Sequence, residues 1–364
     1  MAKIDAFFKL MSEQKASDLH LMVGCKPILR HHCQLMPIKY ETIGDQECKN
    51  LLYEILTQNQ IKEFEENKDL DFSYDFEGVG RFRANICMQR RGIEGNFRLI
   101  PSKIPTFEEL GLPDIVKKLI SFKQGLVLVT GPTGVGKSTT LAAMIDAVNR
   151  ERKEHIITIE DPIEYIHPNK NCLVNQREVG KHTMSFQNAL RAALREDPDI
   201  IFVGEMRDLE TMSMAITAAE TGHLVFGTLH TSSAHKTVDR IIDVFPSAQQ
   251  PQIRTMLSES LRGVISQVLA RKADGSGMVA VLEILVGTVS LANMIRDGKT
   301  FQIPSVMQTG KQLGMQTLDD ALMKKVDEGI ITPVEAYQYA TNKNIFLSKM
   351  SPEDKSKFES EIPG

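Results

Sequence analysis

A glycine-rich segment near the middle of the chain constrains the fold more than any other feature. Residues 131–138 read GPTGVGKS and match the phosphate-binding pattern G-x-x-x-x-G-K-[ST] in full. The segment follows an apolar stretch at 126–129, which we predict to be a strand, and it opens an amphipathic helical pattern at 137–149. A strand, a glycine loop and a helix in this order predict an α/β fold that holds phosphate groups.

The residue types of this loop indicate what it binds. Glycines let the backbone wrap around phosphate groups, and the amides of the loop and of the helix N-terminus point at the anion. Lys137 can reach the β- and γ-phosphates of a nucleotide, and the Ser138 hydroxyl is a ligand for Mg²⁺. We therefore predict that nine consecutive residues bind the nucleotide: Gly131, Pro132, Thr133, Gly134, Val135, Gly136, Lys137, Ser138 and Thr139.

Three carboxylates stand at the end of the next predicted strand, residues 156–159. They belong to Glu160, Asp161 and Glu164. In open α/β sheets ligands gather at the carboxyl ends of strands, so this segment suits a base that orients attacking water, or acids linked to Mg²⁺. A turn that is merely rich in acids is the alternative.

A further carboxylate follows the predicted strand at 200–203. A buried apolar strand that ends in Glu205 resembles a Walker B element, and Glu205 is placed to orient water or to join the metal shell. Ser138 and Glu205 are therefore the predicted Mg²⁺ ligands. Arg207 and Asp208 either act in the same site or pair internally.

Two histidines, His223 and His230, bracket a short predicted strand at 224–228. A single histidine is usually a structural residue, but two at the ends of one sheet strand favour a sensor of the γ-phosphate. Zinc binding is disfavoured, because no cysteine or second carboxylate pair has the spacing that would complete a ligand set.

A pair of arginines lies on a predicted strand in the first hundred residues. Alternation within residues 80–86 places Arg81, Arg83 and Asn85 on one face and apolar residues on the other. Paired arginines on a rigid strand suit bidentate contact with the phosphate of a neighbouring subunit. The alternative is a solvated cationic face.

Composition excludes several classes of protein. The chain has 364 residues, enough for two domains, and its 42% hydrophobic and 25% charged residues are typical of a globular protein. A net charge of −4 and the absence of tryptophan argue against a nucleic-acid-binding role. An apolar stretch at 277–295 is interrupted by Glu283, so we expect core strands there and no membrane span.

Cysteine usage and the N-terminus predict the compartment. The cysteines are scattered and odd in number, which favours free thiols in a reducing cytoplasm. The first residues carry an acidic side chain and no long apolar run, so we expect no signal peptide. These are the five cysteines: Cys25, Cys33, Cys48, Cys87 and Cys172.

Several prolines after residue 100 and a change in the hydrophobic pattern divide the chain into parts. The first hundred residues mix helix and strand, with helices expected up to Ala16 and at 47–66. From residue 125 strands alternate with helices, which predicts a parallel sheet. The predicted parts are an N-terminal domain (1–100), a connector (101–118), a domain with the phosphate loop (119–290) and a helical C-terminal region that ends in a loose tail (291–364, with the tail from 351).

The expected strands and helices follow from the same patterns. The strands expected in the first part are 19–23, 71–76, 81–89 and 95–100. Those expected in the second are 126–129, 156–159, 200–203, 224–228, 264–269 and 278–285, with helices at 137–149, 185–195 and 210–221.

Four segments in this order resemble the motifs of the secretion ATPase superfamily. Residues 131–138, 158–164, 204–208 and 221–230 look like its Walker A, Asp box, Walker B and His box. Residues 17–21 and 81–83 are similar to the first domain of one branch, the PilT family of type IV pilus retraction motors.

The resemblance implies a fold, a mechanism and partners. It implies a PAS-like N-terminal domain, a RecA-like P-loop domain with a helical extension, and a homohexameric ring that binds ATP and Mg²⁺. The family's catalytic glutamate falls on Glu164 and its Walker B glutamate on Glu205, while its arginine fingers fall on Arg81 and Arg83, with Arg98 weaker. Hydrolysis would turn an inner-membrane platform protein and power twitching motility from the cytoplasmic side of that membrane.

One departure from the family leaves an alternative open. Residues 290–299 read SLANMIRDGK, where the family carries AIRNLIREGK, so the chain is either a retraction motor or an accessory paralogue of the PilU type that works with one. Val135 stands where serine is common, at a position that phosphate binding does not need.

Three other functions compete with retraction. Pilus extension and secretion motors typically carry a Cys-x-x-Cys zinc insertion, which this chain lacks. A RecA-like DNA translocase needs a cationic channel, which the net charge of −4 and the absence of tryptophan disfavour. A nucleotide-binding scaffold without turnover would not need Lys137, Glu164 and Glu205 together.

Overall fold

The computed structural model describes residues 2–31, 34–100 and 103–359. They form two compact units, Met1–Lys103 with Glu164–Ile166 and Ile104–Ile163 with His167–Gly364. Cys33, residues 101–102 of the expected connector and residues 360–364 of the expected tail lie outside the described residues. Across the described ranges, every helix is too short or too polar to cross a bilayer.

The first unit contains an antiparallel sheet. In its described residues the strand order is β3-β2-β1-β6-β5-β4, with β1 (Asp18–Met22), β2 (Ile28–His31), β3 (Gln34–Pro37), β4 (Asp69–Phe76), β5 (Gly80–Gln89) and β6 (Gly92–Ile100). The helices of this unit are α1 (Asp5–Glu13), α2 (Asp45–Tyr53) and α3 (Gln58–Asn67). An aromatic cluster forms its core, where the ring of Phe8 stacks on Phe82 at 4.3 Å and meets the edge of Phe97 at 5.1 Å.

The first unit differs from the sequence prediction at two places. The helix expected at 47–66 is two helices, because Thr57 starts a new one: its hydroxyl accepts from Gln60 N–H and the Gln60 side chain accepts from Thr57 N–H. Strands β2 and β3 were not predicted. Both have four residues, and β3 is exposed throughout, so no alternation of burial marks it.

The alternation expected along β5 is confirmed. Phe82, Ala84 and Ile86 are fully buried, while Arg81 and Arg83 occupy the other face of the strand. The period of two therefore fixes which side chains of β5 enter the core.

The second unit is built on a mostly parallel sheet, which confirms the α/β class. In the described part of this unit the order is β13-β12-β7-β11-β10-β8-β9, and β13 alone runs antiparallel to its neighbour. The strands are β7 (Gly125–Thr130), β8 (His155–Glu160), β9 (Leu173–Glu178), β10 (Ile200–Val203), β11 (Leu224–Leu229), β12 (Leu261–Arg271) and β13 (Met278–Val286). Of the stretch at 277–295 that Glu283 interrupts, Met278–Val286 is a core strand, as predicted, but Val289–Arg296 is a helix and not a strand.

Helices alternate with these strands and continue to the end of the described chain. They are α4 (Phe107–Leu110), α5 (Asp114–Ile120), α6 (Lys137–Glu151), α7 (Phe186–Ala193), α8 (Leu209–Glu220), α9 (Ala234–Asp243), α10 (Gln250–Ser260), α11 (Val289–Arg296), α12 (Ile303–Thr309), α13 (Leu318–Asp327), α14 (Pro333–Tyr339), α15 (Lys343–Leu347) and α16 (Pro352–Glu359). Helix α4 lies within the stretch expected to be a connector (101–118), and α5 begins there and continues two residues beyond it.

The prediction of a loose tail from residue 351 is wrong for the described residues. Helix α16 forms there because Ser351 caps it, with its hydroxyl accepting a hydrogen bond from Asp354 N–H at 3.2 Å. Acidic residues in the first turn also favour the helix.

Strand direction decides where the chemically interesting residues meet. Strands β7, β8, β10 and β11 are parallel neighbours, so their carboxyl ends lie along one edge of the sheet. The segments that follow these ends are the phosphate loop, the Asp box, Glu205 and His230. The edge is therefore the place to look for a site.

The loop after the Asp box is fastened to the phosphate-loop helix by one buried side chain. Asn149, on α6, is fully buried. Its amide donates to the Pro168 carbonyl at 2.7 Å, and its oxygen accepts from the N–H groups of Lys170 (3.1 Å) and Cys172 (3.3 Å). Asn149 thus satisfies three backbone groups of a segment that would otherwise have no regular partner.

We predict that Asn149→Ala lowers the free energy of unfolding by about 2–3 kcal/mol, because it leaves buried backbone groups without partners. Denaturant unfolding at fixed protein concentration measures the change. Glu151→Ala, at an exposed position on the same helix, is the matched control and should stay within about 0.5 kcal/mol of the wild type. Equal effects of the two substitutions would contradict the proposed anchoring role.

Candidate functional site

The phosphate loop has a shape that its glycines permit. Gly131, Gly134 and Gly136 have φ values of +140°, +82° and +87°, a region that residues with side chains rarely enter. A Cβ atom on Gly131 would also collide with the backbone carbonyl of Gln267. Helix α6 begins directly after Gly136, so its unpaired N–H groups face the loop.

A side chain from the neighbouring strand β12 holds the loop. Gln267 is buried, and its amide donates to the Val135 carbonyl at 2.5 Å. Its oxygen accepts from the Thr140 hydroxyl at 2.8 Å, in the first turn of α6. Gln267 therefore links the glycine loop to the helix that follows it.

The ammonium group of Lys137 lies inside the loop. It donates to the carbonyls of Gly131 at 2.8 Å and Pro132 at 3.0 Å, and it lies 3.4 Å from Nδ1 of His230. These contacts keep the positive charge at the concave side of the loop, where phosphate oxygens would replace the carbonyls as its partners.

His230 connects the phosphate loop to the acidic residue of the Walker B segment. Its Nε2 lies 2.9 Å from Oε1 of Glu205, while its Nδ1 faces Lys137. An ammonium group can only donate and a carboxylate can only accept. The ring is therefore the Nε2–H tautomer, which accepts from Lys137 and donates to Glu205.

Glu205 is held as a carboxylate by its neighbours. Burial by itself raises the pKa of Glu205, but the hydrogen bond and charge of Arg207, together with His230, outweigh it and bring the pKa below its ordinary value. The Arg207 Nε atom lies 2.5 Å from Oε1 of Glu205. Arg207 thus acts within this cluster, whereas Asp208 caps α8 by accepting from Thr211 N–H at 2.9 Å.

The three acids of the Asp box have different surroundings. Glu160 is buried and accepts from the Thr158 hydroxyl at 2.6 Å and the Gln176 amide at 3.1 Å. It therefore links the neighbouring strands β8 and β9. Asp161 and Glu164 are exposed. Glu164 belongs to the short segment Glu164–Ile166, which groups with the first unit.

Strand β9 fixes the chain on both sides of that short segment. Ile163 N–H donates to the Glu178 carboxylate at 3.1 Å, and His167 N–H donates to the Gln176 side chain at 2.8 Å. Gln176 and Glu178 are two residues apart and share one face of β9. The loop that carries Glu164 is thereby held at two points.

The arginines of β5 differ in how strongly their own chain engages them. Arg81 donates to the Ser73 hydroxyl at 2.8 Å, lies 3.8 Å from Asp75, and has a side chain only 11% exposed. Arg83 is exposed. Arg98, the weaker candidate, donates to Asp18 at 2.8 Å.

The two histidines of the His box lie at different ends of β11. The strand places His230 at its carboxyl end, whereas His223 precedes the strand and lies beside Gly125, at the start of β7. The ring of His223 faces the Ala218 carbonyl at 2.9 Å. Within one chain His223 is therefore at the opposite edge of the sheet from the phosphate loop, and its role in nucleotide binding stays a prediction.

A cavity of about 740 Å³ opens beside the phosphate loop. Its lining includes Gly134 and Thr139, the apolar residues Leu110, Leu269 and Ile330, and charged side chains. Apolar residues next to a phosphate-binding loop can accept the flat, uncharged part of a ligand whose charged end lies in the loop.

Sequence reasoning missed two groups of residues in this region. Gln267 is a polar residue within an otherwise apolar predicted strand, and that exception was the available signal. Gln176 and Glu178 lie on β9, a strand that was not predicted because its residues Leu173–Glu178 are mostly polar.

A phosphate loop after a central strand, with an acid and a histidine supplied by adjacent strands, defines a P-loop nucleotide-binding α/β protein. The model of the Type II/IV secretion system protein family matches residues 102–283. The chain belongs to this family and to its PilT branch of secretion ATPases.

Three relatives illustrate the similarity. The type IV pilus retraction ATPase PilT of Pseudomonas aeruginosa is 53% identical over 90% of this chain and 95% of its own length. The type IV pilus ATPase PilU of the same species is 40% identical over 94% of this chain and 90% of its own length. A crystal structure of the pilus retraction motor PilT with bound ADP is 47% identical and superposes with a TM-score of 0.89, covering 96% of this chain and 100% of that one.

We predict that Gln267→Leu weakens ADP binding about tenfold or more, because the loop loses both hydrogen bonds that fix it to β12. Calorimetric titration with ADP measures the affinity. Thr140→Val, which removes only one of the two bonds, should have a smaller effect. An affinity within twofold of the wild type for Gln267→Leu would show that the loop does not depend on this contact.

Proposed function

We propose that this protein is an ATP-hydrolysing motor that powers type IV pilus retraction. The contacts from Lys137 through His230 to Glu205 carry the proposal, because they join a phosphate-binding cation to an ionised acid at the ligand edge of the sheet. The similarity to the retraction ATPase PilT supports the assignment of this chemistry to pilus retraction.

The loop and the adjacent cavity suit a nucleoside triphosphate. The β- and γ-phosphates would lie in the loop against Lys137, and the nucleoside would extend into the cavity of about 740 Å³. The Ser138 hydroxyl and the Glu205 carboxylate are hard oxygen donors, which fits Mg²⁺. When bound, Mg²⁺ neutralises charge that develops on the phosphate oxygens.

Several residues would share the hydrolysis step. His230 is positioned by its two hydrogen bonds to contact the γ-phosphate, and Glu205 keeps that ring oriented. Glu164, at an exposed position, would orient the attacking water. An arginine of a neighbouring copy would supply the positive charge that stabilises the negatively charged phosphate during transfer. The exposed Arg83 is better suited to this role than Arg81, which donates a hydrogen bond to Ser73.

The proposed assembly is a homohexamer on the cytoplasmic side of the inner membrane. There it would dock onto the pilus platform protein and turn it as ATP is hydrolysed. A paralogous ATPase of the PilU type is a further partner. The higher identity to PilT (53%) than to PilU (40%) supports the role of principal motor.

We predict that Glu205→Ala lowers ATP turnover about 100-fold or more, because the acid that orients His230 and the metal shell is lost. Phosphate release with Mg²⁺ measures turnover, and native mass spectrometry measures the assembly. Glu210→Ala is the matched control, since Glu210 makes an exposed ion pair with Arg191 at 2.7 Å. A stable monomer, or a wild type without turnover, would contradict the motor.

We predict that Arg207→Ala moves the acidic limb of the kcat profile to higher pH. Arg207 opposes the effect of burial on the pKa of Glu205, so without it the carboxylate takes up a proton at a higher pH. Steady-state rates measured between pH 5 and 9 test the shift. Arg207→Lys retains the charge and should shift the limb less, whereas an unchanged limb in Arg207→Ala would contradict the role assigned to this pair.

A further inference from the structure

Glu283 has surroundings that its position on a core strand does not explain. It lies in the middle of β13, between the buried residues Leu282 and Ile284. Burial raises the pKa of Glu283, which shows that placing a carboxyl there has a cost. An apolar residue would suit the strand better, so the carboxyl group must have partners that favour it.

The carboxyl group lies at the N-terminus of a helix. Oε1 of Glu283 accepts from Ala234 N–H, the first residue of α9, at 2.6 Å. The N–H of Leu318, the first residue of α13, also acts to lower the pKa of Glu283 against the effect of burial. Glu283 therefore caps α9 from β13, where negative charge is favourable.

This long-range cap matters most for α9. Its N-cap residue Ser233 directs its hydroxyl to Nδ1 of His235 at 3.2 Å. In α13, by contrast, the N-cap Thr317 already accepts from Asp320 N–H at 3.1 Å. The first turn of α9 therefore depends on a residue from a distant strand, whereas α13 has a cap of its own.

The first turn of α9 is in turn bound to the nucleotide edge. The hydroxyl of Thr237 lies 2.6 Å from that of Thr231, which directly follows His230. It also lies 3.4 Å from the hydroxyl of Thr130, the last residue before the phosphate loop. A shift of α9 would therefore move the chain on both sides of the γ-phosphate position.

The residue Gln316, just before α13, is bound to the strand residues on either side of Glu283. Gln316 and Ile284 exchange backbone hydrogen bonds of 2.8 and 2.9 Å, and the Gln316 amide donates to the Leu282 carbonyl at 2.6 Å. The C-terminal helices that follow share a core that includes Leu322 and Phe346. They would move as one body with the start of α13.

We propose that Glu283 is a positioning residue that couples His230 to the C-terminal helices α13–α15. Its side chain binds the start of α9, and its neighbours Leu282 and Ile284 bind Gln316 just before α13. The position of the γ-phosphate contact therefore depends on the position of the C-terminal helices, and the position of these helices depends on that contact. This inference rests on the proposed function, because the contact that it positions is the one assigned to ATP hydrolysis.

The test compares Glu283→Ala with a matched control. Glu335, on α14, also binds the antiparallel pair β12–β13: it accepts from Arg271 N–H of β12 at 2.8 Å. None of its described contacts is with α9. We expect kcat to fall about tenfold in Glu283→Ala with ADP affinity within twofold of wild type, since the Gln267 contacts that hold the phosphate loop remain. Glu335→Ala should leave kcat unchanged. Glu283→Gln, which keeps one acceptor oxygen, should be intermediate.

A double-mutant cycle with His230→Ala separates positioning from general stability. If Glu283 acts through His230, Glu283→Ala causes no further loss of kcat in the His230→Ala background. Independent, multiplicative losses would overturn the proposal. So would an unchanged kcat in Glu283→Ala while the wild type turns over ATP, and that result would leave the proposed function intact.

Hydrogen exchange gives a readout that does not need turnover. In the wild type and in Glu335→Ala, a non-hydrolysable ATP analogue, which supplies the γ-phosphate, should change the exchange of amides at the start of α13, and Glu283→Ala should abolish that change. The same effect of the analogue in all three proteins would overturn the coupling. A wild type without ATPase activity would instead contradict the proposed function, so the two failures can be told apart.

Discussion

The close approach of β12 to the phosphate loop is the constraint on which the rest of the site depends. Gly131 has no side chain where the Gln267 carbonyl lies, and the Gln267 amide binds the Val135 carbonyl at 2.5 Å. This packing sets the loop, and the loop sets the position of Lys137. Because His230 takes its orientation partly from Lys137, the same contact reaches the acid on β10.

His230 gives the site its continuity. Lysine and carboxylate leave one tautomer for the ring, so a change at either neighbour would alter its orientation. Arg207 adds the charge that keeps Glu205 ionised despite its burial. These contacts hold the charged groups in fixed positions. The proposed phosphate chemistry needs such an arrangement, because positioned charge supplies most of its catalytic effect.

Local pattern was sufficient for much of the fold. Alternation predicted the buried face of β5, and apolar runs predicted β7, β8, β10 and β11, because each signal lies within a few adjacent residues. Strands β2, β3 and β9 were missed because they are short or polar, and they exist only through pairing with neighbours. The capping residues Thr57 and Ser351 explain the other differences.

The sequence by itself determined the phosphate loop, Glu205 and the parallel architecture, because glycine spacing and apolar periodicity encode local conformation. Only the tertiary structure showed that His230, and not His223, lies at the end of β11 that faces the phosphate loop within one chain, because this depends on the direction of the strand in the sheet. It alone also revealed the contacts of Gln267 with Val135 and of Glu283 with Ala234, each of which joins residues more than 40 positions apart in the chain. Such contacts follow from strand order and direction, which no local pattern records.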